Sequence, residues 1–201
     1  MFKSRWPSWA ACVIGLLSGA GSAAAAVTIY TSESQFMSTF GTPVAADFEA
    51  LASGPQSTFA EGGVTFASHP PLDNLFIIDP SVVNTNPVPT SHCLTGNGVD
   101  DIDIMLPGHT HVVGFNDITN QFAAPVVTLF AGDESILASY TLTQAPNTYG
   151  FVGFTSDVVI AKVRWLATGG DSENTAIDNV RYATDLATSV LTWGALKVVY
   201  R

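Results

Sequence analysis

The sequence predicts an all-β fold: one antiparallel β-sandwich of the jelly-roll or galactose-binding-like kind, with a short helix near its start. Three observations predict it. Short runs of β-branched and aromatic residues recur with period two. Turn signals rich in Gly, Pro, Asn and Asp separate those runs every ~8–12 residues. Residues 33–40 read as one or two helical turns, with Ser32 as the N-cap.

Residues 1–26 stand outside that fold. Lys3 and Arg5 form a short positive start, residues 10–17 are largely apolar, and residues 18–26 are small. That order is the pattern of a secretory signal peptide, with small-x-small cleavage near Ala24 to Ala26. The apolar stretch is shorter than the about 20 residues that span a bilayer. No later stretch is long and apolar enough either, so no stable membrane insertion is expected. The expectation is an exported protein, secreted or periplasmic.

The elements follow in order. Val27 to Tyr30 reads as a strand. Ser32 is a good N-cap for the helix, and Gln35 completes a capping box with it. Residues 45–48 read as a strand ending at Glu49. Gly62 and Gly63 turn into a strand at 64–66. Residues 73–89 are rich in Pro, Asn and Asp around an apolar run at 75–78, and read as an irregular surface excursion. Strands then follow at 102–106, 112–115, 126–130 and 136–142. Pro107-Gly108 and Ala131-Gly132-Asp133 supply turns between them. Residues 149–155 and 159–167 are two more strands. Gly169-Gly170-Asp171 opens a loop, and residues 176–182 close the core. One domain, 27–183, is sufficient, with a tail at 184–201.

The whole chain holds 7 basic and 17 acidic residues, a net charge of −10. Loss of Lys3 and Arg5 with the leader makes it more acidic still. Such a balance excludes a phosphate-binding basic patch, so nucleic acid is not an expected partner. It suits hard cations or plain solubility. Only Cys93 remains after Cys12 leaves with the leader, so no internal disulfide is expected.

Four segments carry a family likeness: residues 47–51 with 62–66; residues 112–116; residues 126–137; and 151–157 with Val163-Arg164-Trp165 and 177–182. Together they resemble exported bacterial β-sandwich proteins that often carry a PEP-CTERM sorting tail. The tail itself departs from that pattern, for residues 183–201 contain no Pro. The resemblance implies a calcium site. In similar jelly-rolls a Glu from the first strand pair and an Asp from the last strand meet at the sandwich edge, which maps onto Glu49 and Asp178. Calcium takes oxygen ligands of that kind.

Two other groups of residues suit chemistry. His109 and His111 would share a face if both lay on a strand. With Asp103 or His92 they could hold zinc or a similar divalent metal and leave a position for a water that attacks an ester or lactone. Asp100, Asp101 and Asp103 form an acidic cluster read as a solvated loop. Trp165 and Tyr149 are the candidate aromatic platforms for stacking on a sugar ring. No Gly-x-Ser-x-Gly elbow and no phosphate loop is present. The leading expectation is therefore a secreted, calcium-stabilised module that binds carbohydrate or a surface or matrix polymer. The alternative is a metal-dependent hydrolase of an ester or lactone.

Overall fold

The structure, a computed structural model, describes residues 25–69, 74–81, 90–97, 101–119, 124–145, 148–167 and 175–184. Most of the expected leader, most of the tail, Asp100 and the Gly169-Gly170-Asp171 loop lie outside these residues. In chain order the elements are β1 Val27–Tyr30, α1 Glu33–Phe40, β2 Gly54–Gln56, β3 Phe59–Glu61, β4 Val64–Ser68, β5 Asn74–Ile78 and β6 Cys93–Asn97. They continue with β7 Ile102–Met105, β8 Val112–Thr119, β9 Val126–Phe130, β10 Ile136–Thr141, β11 Thr148–Ser156, β12 Lys162–Leu166 and β13 Ala176–Ala183.

The strands form the expected antiparallel sandwich. One sheet has the order β1-β11-β8-β13-β6-β5-β2, and the other β10-β9-β12-β7-β4-β3. Period-two alternation decides which residues enter the core. On β8, Val113 and Phe115 face the opposite sheet, and on β12 Val163 and Trp165 do the same. They meet Phe66, Ile104, Leu129, Val152 and Phe154, all fully buried. Trp165 is the largest of these side chains.

Helix α1 starts where the sequence says. The Ser32 hydroxyl accepts the Gln35 N–H, and Gly41 ends the helix in the left-handed region at φ 59°. Its one fully buried residue, Phe36, packs on the outer face of the seven-stranded sheet, against Phe151 at 5.1 Å and Tyr30 at 5.7 Å between ring centroids. Gly114 and Gly153 make room for it. A Cβ on Gly153 would stand 2.5 Å from the Phe36 ring.

The structure departs from the sequence reading in the first half. Residues 74–78 are strand β5, in register with β6 over five pairs, rather than part of an irregular excursion. Their apolar run has a partner strand at 93–97 whose small and polar residues conceal its β character. Residues 45–48 make only an isolated bridge between Ala46 and Val180. The chain turns there because Phe48 adopts φ 62°. Among the described residues no helix is long and apolar enough to cross a membrane.

Candidate binding site

Strand β13 builds the site by breaking its own period. Ile177 and Val180 are both in the core although three residues apart. The ladder to β8 shifts register between Asp178 and Arg181, and Asn179 sits at φ 52°. That is a β-bulge with an Asn in the left-handed conformation it tolerates best after Gly. The extra residue puts both Asp178 and Arg181 on the outer face of the seven-stranded sheet.

Asp178 is fully buried there. Its Oδ2 accepts the Ser91 hydroxyl at 2.5 Å, the Tyr149 hydroxyl at 3.1 Å and the Asn179 amide nitrogen at 2.9 Å. Its Oδ1 accepts the Asn179 backbone N–H at 2.6 Å. Burial pushes its carboxyl above the usual range, the donors from Ser91, Asn179 and Tyr149 oppose that, and the charge of Glu49 adds to it. Tyr149 is the exposed half of the pair. The residue is 44% exposed, while burial of the hydroxyl end and the charge of Asp178 push its phenol well above the ordinary value. The phenol therefore stays a donor, and its ring is pinned by that bond and by Asn179 Nδ2 at 3.3 Å.

The network runs on in both directions. Arg181, nearly buried, donates to Glu33 at 2.6 Å and to the Asn179 carbonyl at 3.3 Å. Glu33 also accepts from Asn116, which in turn donates to the Gly150 carbonyl. On the other side Glu49, exposed, accepts the His92 backbone N–H at 3.0 Å. The His92 ring lies between the Phe48 carbonyl and Asp79.

Beside Gly150 and Phe151 lies a cavity of about 200 Å³, walled also by Thr31, Tyr140, Thr143 and Gln144. Gln144 folds across Gly150, where a Cβ would collide with its amide, and donates to Asp117. Asp117 faces the core and accepts the Trp165 indole N–H at 3.0 Å.

The candidates of the sequence reading divide accordingly. Tyr149 and Asp178 are brought into direct contact, and Glu49 is close enough to Asp178 to raise its pKa. Glu49 itself is exposed rather than held near the core, because the turn at Phe48 ends the expected strand. Trp165 is a correction. It is wholly buried, its indole nitrogen is committed to Asp117, and it offers no face to a sugar. The histidine pair is a second correction. His109 lies in the turn at φ 67° and is exposed, so it does not share a strand face with His111. The His111 ring is bonded to the Ser156 carbonyl at 2.9 Å. Asp103 makes a two-point pair with Arg164 at 2.7 and 2.9 Å. Among the described residues no three His, Cys, Asp or Glu side chains converge as a metal centre. Asp101 is buried and accepts the Ala167 N–H, so it is no solvated loop residue. Asn116 and Asn179 were not singled out by sequence, and Arg181, which the sequence would also allow to pair with Glu49, pairs with Glu33. The three-residue spacing of Ile177 and Val180 was the signal that could have found the bulge.

No family model and no curated protein matches the chain. Among solved structures it is similar to the enzymatically active domain of tailspike protein 4 of bacteriophage CBA120, at 12% identity and a TM-score of 0.32. That match covers 79% of this chain and 19% of the tailspike chain, so the chain spans about a fifth of that protein. It is similar to TmCBM61, solved with β-1,4-galactotriose, at 11% identity and a TM-score of 0.34, covering 61% of this chain and 88% of that one. It is also similar to the K1 cleaved adhesin domain of Lys-gingipain from Porphyromonas gingivalis W83, at 11% identity and a TM-score of 0.36, covering 80% and 99%. Such scores are too low to carry a function across.

Proposed function

We propose that this chain is an exported β-sandwich binding module that receives carbohydrate, as part of a polysaccharide or a surface polymer, at the Tyr149 ring. The observation that supports this reading is the anchoring of Tyr149. The residue is 44% exposed, while its hydroxyl is held by the buried Asp178 and by Asn179. A rigid aromatic loses little freedom when a sugar's C–H face covers it. The cavity that begins at Gly150, the next residue along β11, is walled in part by Thr31 and Thr143, residues whose hydroxyls are of a kind suited to sugar hydroxyls.

Calcium belongs to the proposal at Glu49 and Asp178. Their carboxylates repel each other, and one of them is buried. A divalent cation held by both would remove that repulsion. Ser91 and Asn179, now donors to Asp178, carry oxygens that can turn to a cation. The cation's part would be structural, fixing the carboxylate that fixes Tyr149.

Titration of the exported protein against a panel of soluble polysaccharides tests the reading. Saturable binding that Tyr149→Ala weakens by about tenfold or more, equivalent to about 1.4 kcal/mol, is the expected result. Binding unaffected by that variant would remove Tyr149 from the site.

A further inference from the structure

We infer that the exported protein begins at Ala26, and that Asp157 is the receptor for its new ammonium group. The inference rests on reading the N-terminal stretch as a leader, and sets the end of that leader at Ala25 rather than Ala26. The sequence alone leaves the cut open, because residues 18–26 satisfy the small-x-small rule in several frames. Ser22 with Ala24, Ala23 with Ala25, and Ala24 with Ala26 all qualify.

The fold distinguishes these frames. The β1–β11 ladder pairs Val27 with Ser156 and continues one step further. The Ala26 nitrogen donates to the Asp157 carboxylate at 2.8 Å, and the Asp157 nitrogen donates back to the Ala26 carbonyl at 3.3 Å. The receiving turn is held independently of Ala26. The Ser156 N–H donates to the His111 carbonyl, the His111 ring bonds the Ser156 carbonyl, and the Ser156 hydroxyl accepts the Val158 N–H. Ala26 is exposed, so a terminus there is also wetted by solvent.

Hydrolysis of the Ala25–Ala26 bond consumes one water and leaves a carboxylate on Ala25 and an ammonium on Ala26. The nitrogen that was a neutral amide donor to Asp157 becomes a charged one, and charge-assisted hydrogen bonds are the stronger kind. A cut one residue later removes Ala26 and with it both contacts. A cut one or two residues earlier leaves the Ala26 nitrogen an amide and carries the charge along the chain by about 3.8 Å per residue. Only the cut before Ala26 places the ammonium on the atom that already meets the carboxylate.

The test is expression of the full chain in an exporting bacterial host, followed by intact mass and N-terminal sequencing of the exported product. The expected terminus is Ala26. A terminus at Ala24, Ala25 or Val27 overturns the inference while leaving the leader reading intact, and retention of Met1 overturns both. The pairing has its own readout in the rate at which an acylating reagent modifies the α-amine near neutral pH. An ion pair favours the unreactive ammonium, so the exported Asp157→Asn variant is expected to react about two- to fivefold faster than the wild type. Equal rates would overturn the role of Asp157.

Discussion

Tyr149 and Asp178 work as a pair of unequal exposure. The buried carboxylate takes its hydrogen bonds from Ser91, Tyr149 and Asn179, and the half-exposed ring inherits its rigidity. Tyr149→Phe keeps the ring and removes the hydroxyl. It should weaken sugar binding, by less than Tyr149→Ala does, and lower stability by about 1 kcal/mol, measured by denaturant unfolding. The pH dependence follows from direction alone. Burial raises the folded pKa of Asp178 above its ordinary 3.8. The folded state then holds that proton more tightly than the unfolded chain does. The contribution is fully present below about pH 3.8 and is lost as pH rises through the folded value. Glu61 and Asp101, both raised mainly by burial, act in the same direction. Unfolding measured across a pH series should show a decline above pH 3.8 that Asp178→Asn reduces. Trp165→Phe removes the indole donor to Asp117. It should cost about 1–3 kcal/mol and leave sugar binding unchanged, since the ring lies in the core. Lost binding with full stability would restore Trp165 as a platform.

At the scale of elements, the site depends on a bulge and a docked helix. Phe36 of α1 fits over Gly114 and Gly153, and Glu33 of the same helix holds Arg181 beside the site. Gly153→Ala would force a methyl into the Phe36 ring and should cost about 1–3 kcal/mol, the usual penalty of overpacking, read from the denaturation midpoint. The second half of the molecule was legible in the sequence because β7 and β12 alternate and β8, β9 and β11 are rich in β-branched and aromatic residues. Ser32 and Gln35 likewise announced α1. The first half was less so. Strand β6 reads Cys-Leu-Thr-Gly-Asn, and its partner β5 lies in a Pro- and Asn-rich stretch, so neither showed its pairing. Of the site, Glu49 and Asp178 were found together, as a calcium pair, and Tyr149 apart from them, as a sugar platform. The contact of Tyr149 with Asp178 required β11 and β13 to flank β8 in one sheet, which no local period records. The histidines misled because a turn at positive φ removed His109 from the strand that would have paired it with His111.

For the whole molecule, two antiparallel sheets enclose the core and leave the outer face of one sheet for α1 and the Asp178 network. Metal dependence belongs at this scale, because anything that binds only the folded state stabilises all of it. Calcium at one hundred times its dissociation constant should add about 2.7 kcal/mol. The melting temperature should rise with calcium, fall with EDTA, and respond to neither in Asp178→Asn. No calcium response in the wild type would remove the cation from the proposal and leave the Tyr149 site standing.

The Tyr149 ring, held at its hydroxyl by Asp178 and Asn179, is the proposed seat for carbohydrate. Calorimetric titration of wild-type and Tyr149→Ala protein with the same panel of polysaccharides tests it most directly. Saturable heat with at least one glycan in the wild type, weakened about tenfold or more in the variant, is the expected result. No binding across a broad panel, or equal binding by both proteins, would contradict it.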